Sequence, residues 1–194
     1  EELYNGFTKK VPPEIVNVML DATRRLADTG IAQNSLKVGQ KAPDFELPNV
    51  KGESVNLHSL LEQGPVVLNF YRGGWCPYCN LELNAYNKHL GDIENLGASL
   101  VAISPQTPDN SLSTAEKNDL KFEVLSDVGN QTANQFGLVF KVDSSLHEIY
   151  TKFGLVIPKF NGDDSWEIPL PGTYVIDKDG TVKYAFANAD YTKR

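Results

Sequence analysis

Pro65-Val66-Val67-Leu68-Asn69-Phe70-Tyr71, followed by Arg72-Gly73-Gly74-Trp75-Cys76-Pro77-Tyr78-Cys79, is the stretch that decides the fold. Its first half is a nearly continuous apolar run of strand length, the pattern of a central strand buried on both faces. Its second half opens a helix, with Cys76 at the N-cap, Pro77 at the first helical position and Cys79 at the third. A strand, a turn and a helix therefore carry both cysteines of the chain. Unpaired N–H groups and the macrodipole at a helix N-terminus favour a thiolate. Cα atoms three apart on a helix are roughly 5 Å from each other, within reach of a disulfide. The loop so closed is too short to stabilise a fold much, so reversible oxidation explains the spacing better than a structural staple.

Outward from this stretch the elements alternate. After Pro77, Leu81, Ala85 and His89, with Tyr78, Glu82 and Tyr86 beside them, fall on helical rows that run to Gly91. Ser99 to Ser104 reads as a second buried strand, and Ser113 and Glu116 have the spacing of a capping box that would start the next helix. Phe122 to Leu125 is a short strand, and Asn130 to Phe136 a short helix stopped by Gly137. Strand, helix and strand in this order predict parallel pairing. Two strands flanking Asp179-Gly180, Thr173–Asp177 and Thr181–Phe186, predict an antiparallel hairpin, so the sheet is mixed. A smaller hairpin is expected from Phe45–Leu47 and Val55–Leu57. The fold class is α/β: a central mixed sheet flanked by helices.

Residues 1–36 differ in pattern. Pro12-Pro13 leads into Ile15, Met19, Ala22 and Leu26 at helical spacing, ended by Gly30, which predicts an added amphipathic helix. Its apolar stripe would cover the main domain or pair with a second copy as a homodimer. The main domain is expected over 37–194, with an insertion at about 143–170, helical from Ser145 to Phe153 and irregular around Pro158. The 194 residues carry a net charge of −7 and no basic stretch, which argues against nucleic acid as a partner. The apolar runs are far shorter than a membrane span. Glu1-Glu2-Leu3-Tyr4 has no signal-peptide pattern, which together with a single local cysteine pair gives the expectation of a cytoplasmic protein. Two thiols with His58, His89 and His147 scattered elsewhere do not make a zinc site, so neither metal nor organic cofactor is expected. Asp163, Asp164 and Glu167 lack a calcium-loop pattern and read as solvated loop.

Several segments together resemble the alkyl hydroperoxide reductase/thiol-specific antioxidant (peroxiredoxin-like) family of the thioredoxin-fold superfamily. They are Lys41-Ala42-Pro43-Asp44-Phe45, Phe70-Tyr71, Leu125-Ser126-Asp127, and Thr173 through Gly180. In that family a Pro-x-x-x-Thr-x-x-Cys segment holds the peroxide-attacking cysteine; the register runs here from Arg72 through Cys76 to Cys79, so only the last cysteine matches. The family's Arg before the Thr-aromatic strand falls at Pro171, which resembles instead the cis-proline of thioredoxins. Trp75-Cys76-Pro77-Tyr78-Cys79 is similar to thioredoxin and glutaredoxin sites.

The resemblance implies an antioxidant oxidoreductase, a thiol-dependent peroxidase that reduces hydrogen peroxide or organic hydroperoxides. Cys76 and Cys79 would be its catalytic pair, reset by thioredoxin, glutaredoxin or glutathione. The alternatives are a thioredoxin-like thiol-disulfide oxidoreductase acting on a disulfide substrate and a redox-sensing module without turnover. The thioredoxin analogy makes Cys76 the outward-facing nucleophile; the peroxiredoxin register makes it Cys79. The attacking thiol is expected below the usual value of about 8.5. Arg72 is a candidate activator and Glu82 a candidate proton shuttle. Trp75 would shield the dithiol, and Pro171 would pack beside it.

Overall fold

The computed structural model describes residues 2–193. The chain begins with α1 (Glu2–Thr8), α2 (Pro13–Asp28) and a single turn, α3 (Ile31–Asn34). A hairpin of β1 (Glu46–Pro48) and β2 (Ser54–Asn56) leads through α4 (Leu57–Gln63) to β3 (Val66–Phe70). There follow α5 (Pro77–Lys88), α6 (Leu90–Asn95), β4 (Ser99–Ser104), α7 (Pro108–Lys117), β5 (Glu123–Ser126) and α8 (Gln131–Gln135). The remainder holds β6 (Val139–Lys141), a 3-10 turn at Ser144–Leu146, α9 (His147–Lys152), α10 (Ile157–Asn161), β7 (Glu167–Pro169), β8 (Gly172–Ile176) and β9 (Val182–Ala187).

The main sheet has the order β5-β4-β3-β8-β9. β3 lies at its centre, parallel to β4 and antiparallel to β8. Val66, Leu68 and Phe70 alternate along one face of β3 and are wholly buried, at about 1.5–3 kcal/mol each. The Phe70 ring meets Phe136 at 4.9 Å and Tyr174 at 6.0 Å, which ties β3 to the end of α8 and to β8. The other face is partly polar: Asn69 is buried and its Nδ2 donates to Thr173 Oγ1 at 3.3 Å. Because β3 is held from both sides, the chain leaving it at Tyr71 and Arg72 is held too.

α2 lies against this body through its apolar stripe. Val18, Met19 and Ala22 of α2 pack with Val142, Leu146 and Tyr150, while Leu26 reaches the main core. Arg25 binds Asp143 through Nη2 at 2.8 Å and through Nε at 3.0 Å.

Five local expectations are corrected. α7 starts at Pro108, not at Ser113, because Thr107-Pro108 already supplies a helix start; Ser113 Oγ instead donates back to Asp109 O at 2.9 Å. α5 stops at Lys88, and Gly91 lies inside α6. The buried row of α5 is Cys79 and Leu83, four apart, whereas Leu81 is 58% exposed. Docking of Cys79 in the core turns the Leu81 row outward. Finally, the segment around Pro158 is helical in α10, with the proline in the first turn where its missing N–H is harmless. Glu167 joins β7, which pairs with β6, and Asp163 is half-buried, so only Asp164 of the acidic cluster is fully solvated.

Candidate active site

Cys76 takes the N-cap position of α5 in extended conformation, Pro77 follows in the first turn, and Cys79 is the third helical residue. Both cysteines are in the dithiol state and both are buried, Cys76 to 1% exposure and Cys79 to 0%. The expectation that Cys76 faces outward therefore fails. Cys76 and Cys79 share one buried cluster with Tyr71, Leu83, Ala102 and Val124, and Trp75 and Tyr78 pack over it. Burial pushes the Tyr71 phenol up to about 12, with Cys79 adding to the effect, so this ring stays neutral beside the sulfur.

The turn before the helix is fixed by its glycines and by a chain of amides. Gly73 has φ +145, and a Cβ there would run into the Trp75 indole, so the sharp exit from β3 excludes a side chain. Gly74 N donates to Gln106 Oε1 at 2.5 Å, and Asn80 Nδ2 donates to Gly74 O at 2.8 Å. Asn118 Nδ2 reaches Asn80 Oδ1 at 3.3 Å, and Thr114 Oγ1 reaches Gln106 at 3.4 Å, so α7 clamps the turn.

Arg72 is 4% exposed, which overturns the ordinary expectation of a solvated arginine at a strand end. Its Nη2 donates to Tyr150 Oη at 3.1 Å, and its guanidinium lies 5.0 Å from the Trp75 ring centre and 4.3 Å from that of Tyr191. Among the described residues no carboxylate pairs with it. Burial works against its charge, but coupling to Tyr150, Cys76, Tyr191 and Cys79 outweighs burial and moves its pKa up. The same burial raises the Tyr191 phenol, opposed by Arg72, so Tyr191 covers the arginine as a neutral ring.

The other candidates divide. Trp75 is half-buried against the cysteine cluster, and its buried Nε1 meets no acceptor. Glu82 is half-buried beside Tyr86, whose phenol is raised by burial and then by that carboxylate. Pro171 directly precedes β8, whose Gly172 pairs with Phe70, and it shares a cavity wall with Arg72 and Tyr191. No peptide bond among the described residues is cis, so Pro171 does not take the thioredoxin conformation that its sequence position suggests. The three histidines stay outside the site: His147 stacks on Trp166 at 3.9 Å, His89 binds Asp92, and His58 faces Glu62. Tyr150 and Tyr191 were missed by sequence reasoning, because one lies in the insertion and the other beyond the last strand, where no periodic pattern points to the dithiol.

A family model described as the AhpC/TSA family matches residues 38–185. A chloroplastic peroxiredoxin Q of Triticum aestivum is 32% identical over 167 residues, 85% of this chain and 65% of that protein's length. Peroxiredoxin Bcp of Escherichia coli K12 is 29% identical over 153 residues, 79% of this chain and 86% of the relative. The crystal structure of peroxidoxin BcpB from Mycobacterium tuberculosis superposes with a TM-score of 0.65 at 27% identity, covering 81% of this chain and 91% of that one. No helix among the described residues is long and apolar enough to cross a membrane. With this match spanning the sheet, the active turn and most of the closing hairpin, the chain belongs to the AhpC/TSA family and is a peroxiredoxin-like oxidoreductase of thioredoxin fold.

Proposed function

We propose that the chain is a thiol-dependent peroxidase in which Cys76 attacks and Cys79 resolves. The observation that carries this reading is the buried guanidinium of Arg72, which no carboxylate of the described residues pairs and whose charge is supported by Tyr150 and by the cysteines. A thiolate at Cys76, which takes the N-cap position of α5, supplies the missing countercharge and is favoured by the helix N-terminus, and Cys79 follows as the resolving thiol.

The Cys76 thiolate attacks one oxygen of R–O–O–H; the O–O bond breaks, the sulfur becomes a sulfenic acid, and the departing alkoxide or hydroxide takes a proton to leave as alcohol or water. The Cys79 thiol then attacks that sulfur, an S–S bond forms, and water leaves. Two thiols of an external reductant, of the thioredoxin, glutaredoxin or glutathione kind, restore the dithiol in two exchange steps. Hydrogen peroxide and small organic hydroperoxides fit the burial: a small molecule reaches a sulfur of 1% exposure by local motion, while a protein disulfide needs a sulfur at the surface. The same argument ranks the disulfide-reductase reading second.

Peroxide consumption and insulin-disulfide reduction measured side by side, for wild type and each Cys→Ser variant, test the proposal. Cys79→Ser should form a dimedone-trappable sulfenic acid at Cys76, and Cys76→Ser should lose turnover. Full peroxide turnover in Cys76→Ser would overturn the assignment.

A further inference from the structure

One cavity of about 210 Å³ opens behind Arg72, and neither cysteine lines it. Met19, Ala22 and Leu26 of α2 form one apolar wall and Phe140, Val142 and Leu146 the other. Arg72 and Tyr150, joined by a hydrogen bond of 3.1 Å, are its buried polar lining, and Thr23, Arg25, Thr29 and Lys141 border it as well. Arg72 Nε is buried and meets no hydrogen-bond acceptor, and no carboxylate of the described residues pairs with this guanidinium. Asp143 also borders the space, but its charge is taken up by Arg25 at 2.8 Å. Apolar walls beside a buried cation that has no carboxylate partner and a free Nε–H are complementary to an amphiphilic anion.

We propose that this cavity binds an unbranched aliphatic monocarboxylate, its head accepting hydrogen bonds from Arg72 and its chain lying along α2. A space of about 210 Å³ is below the roughly 300–1,000 Å³ of drug-sized sites and so suits a short chain of about six to ten carbons. A carboxylate seated there draws Arg72 into a charge-assisted pair and competes with the Cys76 thiolate for the same guanidinium, so the occupant restrains thiol reactivity. The binding itself is independent of the peroxidase reading; its consequence for the thiol rests on Arg72 serving Cys76.

Titration calorimetry on the reduced full-length chain tests the site. Octanoate is expected to bind, with butyrate and octan-1-ol at least about tenfold weaker, the one losing apolar contact and the other the charged head. Met19→Trp, which fills the cavity, should weaken octanoate by about tenfold or more while leaving the iodoacetamide alkylation rate without octanoate unchanged. Arg72→Met should remove the preference for acid over alcohol, and saturating octanoate should slow alkylation of the wild type. Absence of octanoate binding, equal affinity for octan-1-ol, or unchanged affinity in Met19→Trp would each overturn the site. Binding without slower alkylation would overturn the competition for Arg72. Octanoate binding with these dependences in a protein that turns over no peroxide would keep the site and remove the peroxidase reading alone.

Discussion

A buried guanidinium without a carboxylate beside it is costly unless another group supplies the charge. In the mechanism proposed for this chain that group is the Cys76 sulfur, and the assignment can be tested on the sulfur's own chemistry. Arg72→Met should shift the alkylation pH profile upward, since removing the cation disfavours the thiolate, and should slow alkylation at pH 7 by about tenfold. Arg72→Lys should recover part of the loss; a profile that does not move in the Met variant would make Arg72 structural. Gly73 is the second decisive residue. With φ +145 and the Trp75 indole in the path of any Cβ, Gly73→Ala should cost about 1–3 kcal/mol in denaturant unfolding and slow alkylation as the turn shifts. At this scale the sequence showed the dithiol plainly, because N-cap, proline and third-position spacing are local. It could not show that Arg72 is buried, because burial depends on Tyr150 and Tyr191, 78 and 119 positions further along the chain.

Among the elements, α2 depends on a surface pair as well as an apolar stripe. Asp143 is held at about 2, first by Ser145, whose hydroxyl and N–H both donate to it, and then by Arg25. A carboxyl lowered from 3.8 on folding contributes stability that is fully present above about pH 4 and is lost as pH falls toward 2. Asp143→Asn should therefore lower stability at pH 7, by about 0.5–1.5 kcal/mol given its exposure, and the difference from wild type should vanish near pH 2. Thermal unfolding at the two pH values checks both the size and the sign. Element boundaries were less legible than element types. The start of α7 and the buried row of α5 were misplaced because Ser113 and Leu81 satisfy local patterns that Thr107-Pro108 and the docking of Cys79 override.

For the whole molecule, β3 is the support from which the active turn projects, and its stability should govern the site. Leu68→Ala, at 0% exposure in the central strand, should lower unfolding free energy by about 2–5 kcal/mol, with the loss of peroxide turnover following global unfolding. Turnover that survives after the far-UV signal has been lost would separate the site from the sheet. The sequence by itself determined the strand, turn and helix that carry Cys76 and Cys79, the mixed sheet and the amphipathic α2, since each rests on periodicity, turn chemistry or short-range spacing. Only the tertiary structure decided that Cys76 is covered, that Arg72 lies beneath Trp75 and Tyr191, and that α2 encloses a cavity against β6 and the turn after it. Those features arise where segments far apart in the chain exclude water from one another, and no local pattern encodes which segments will meet.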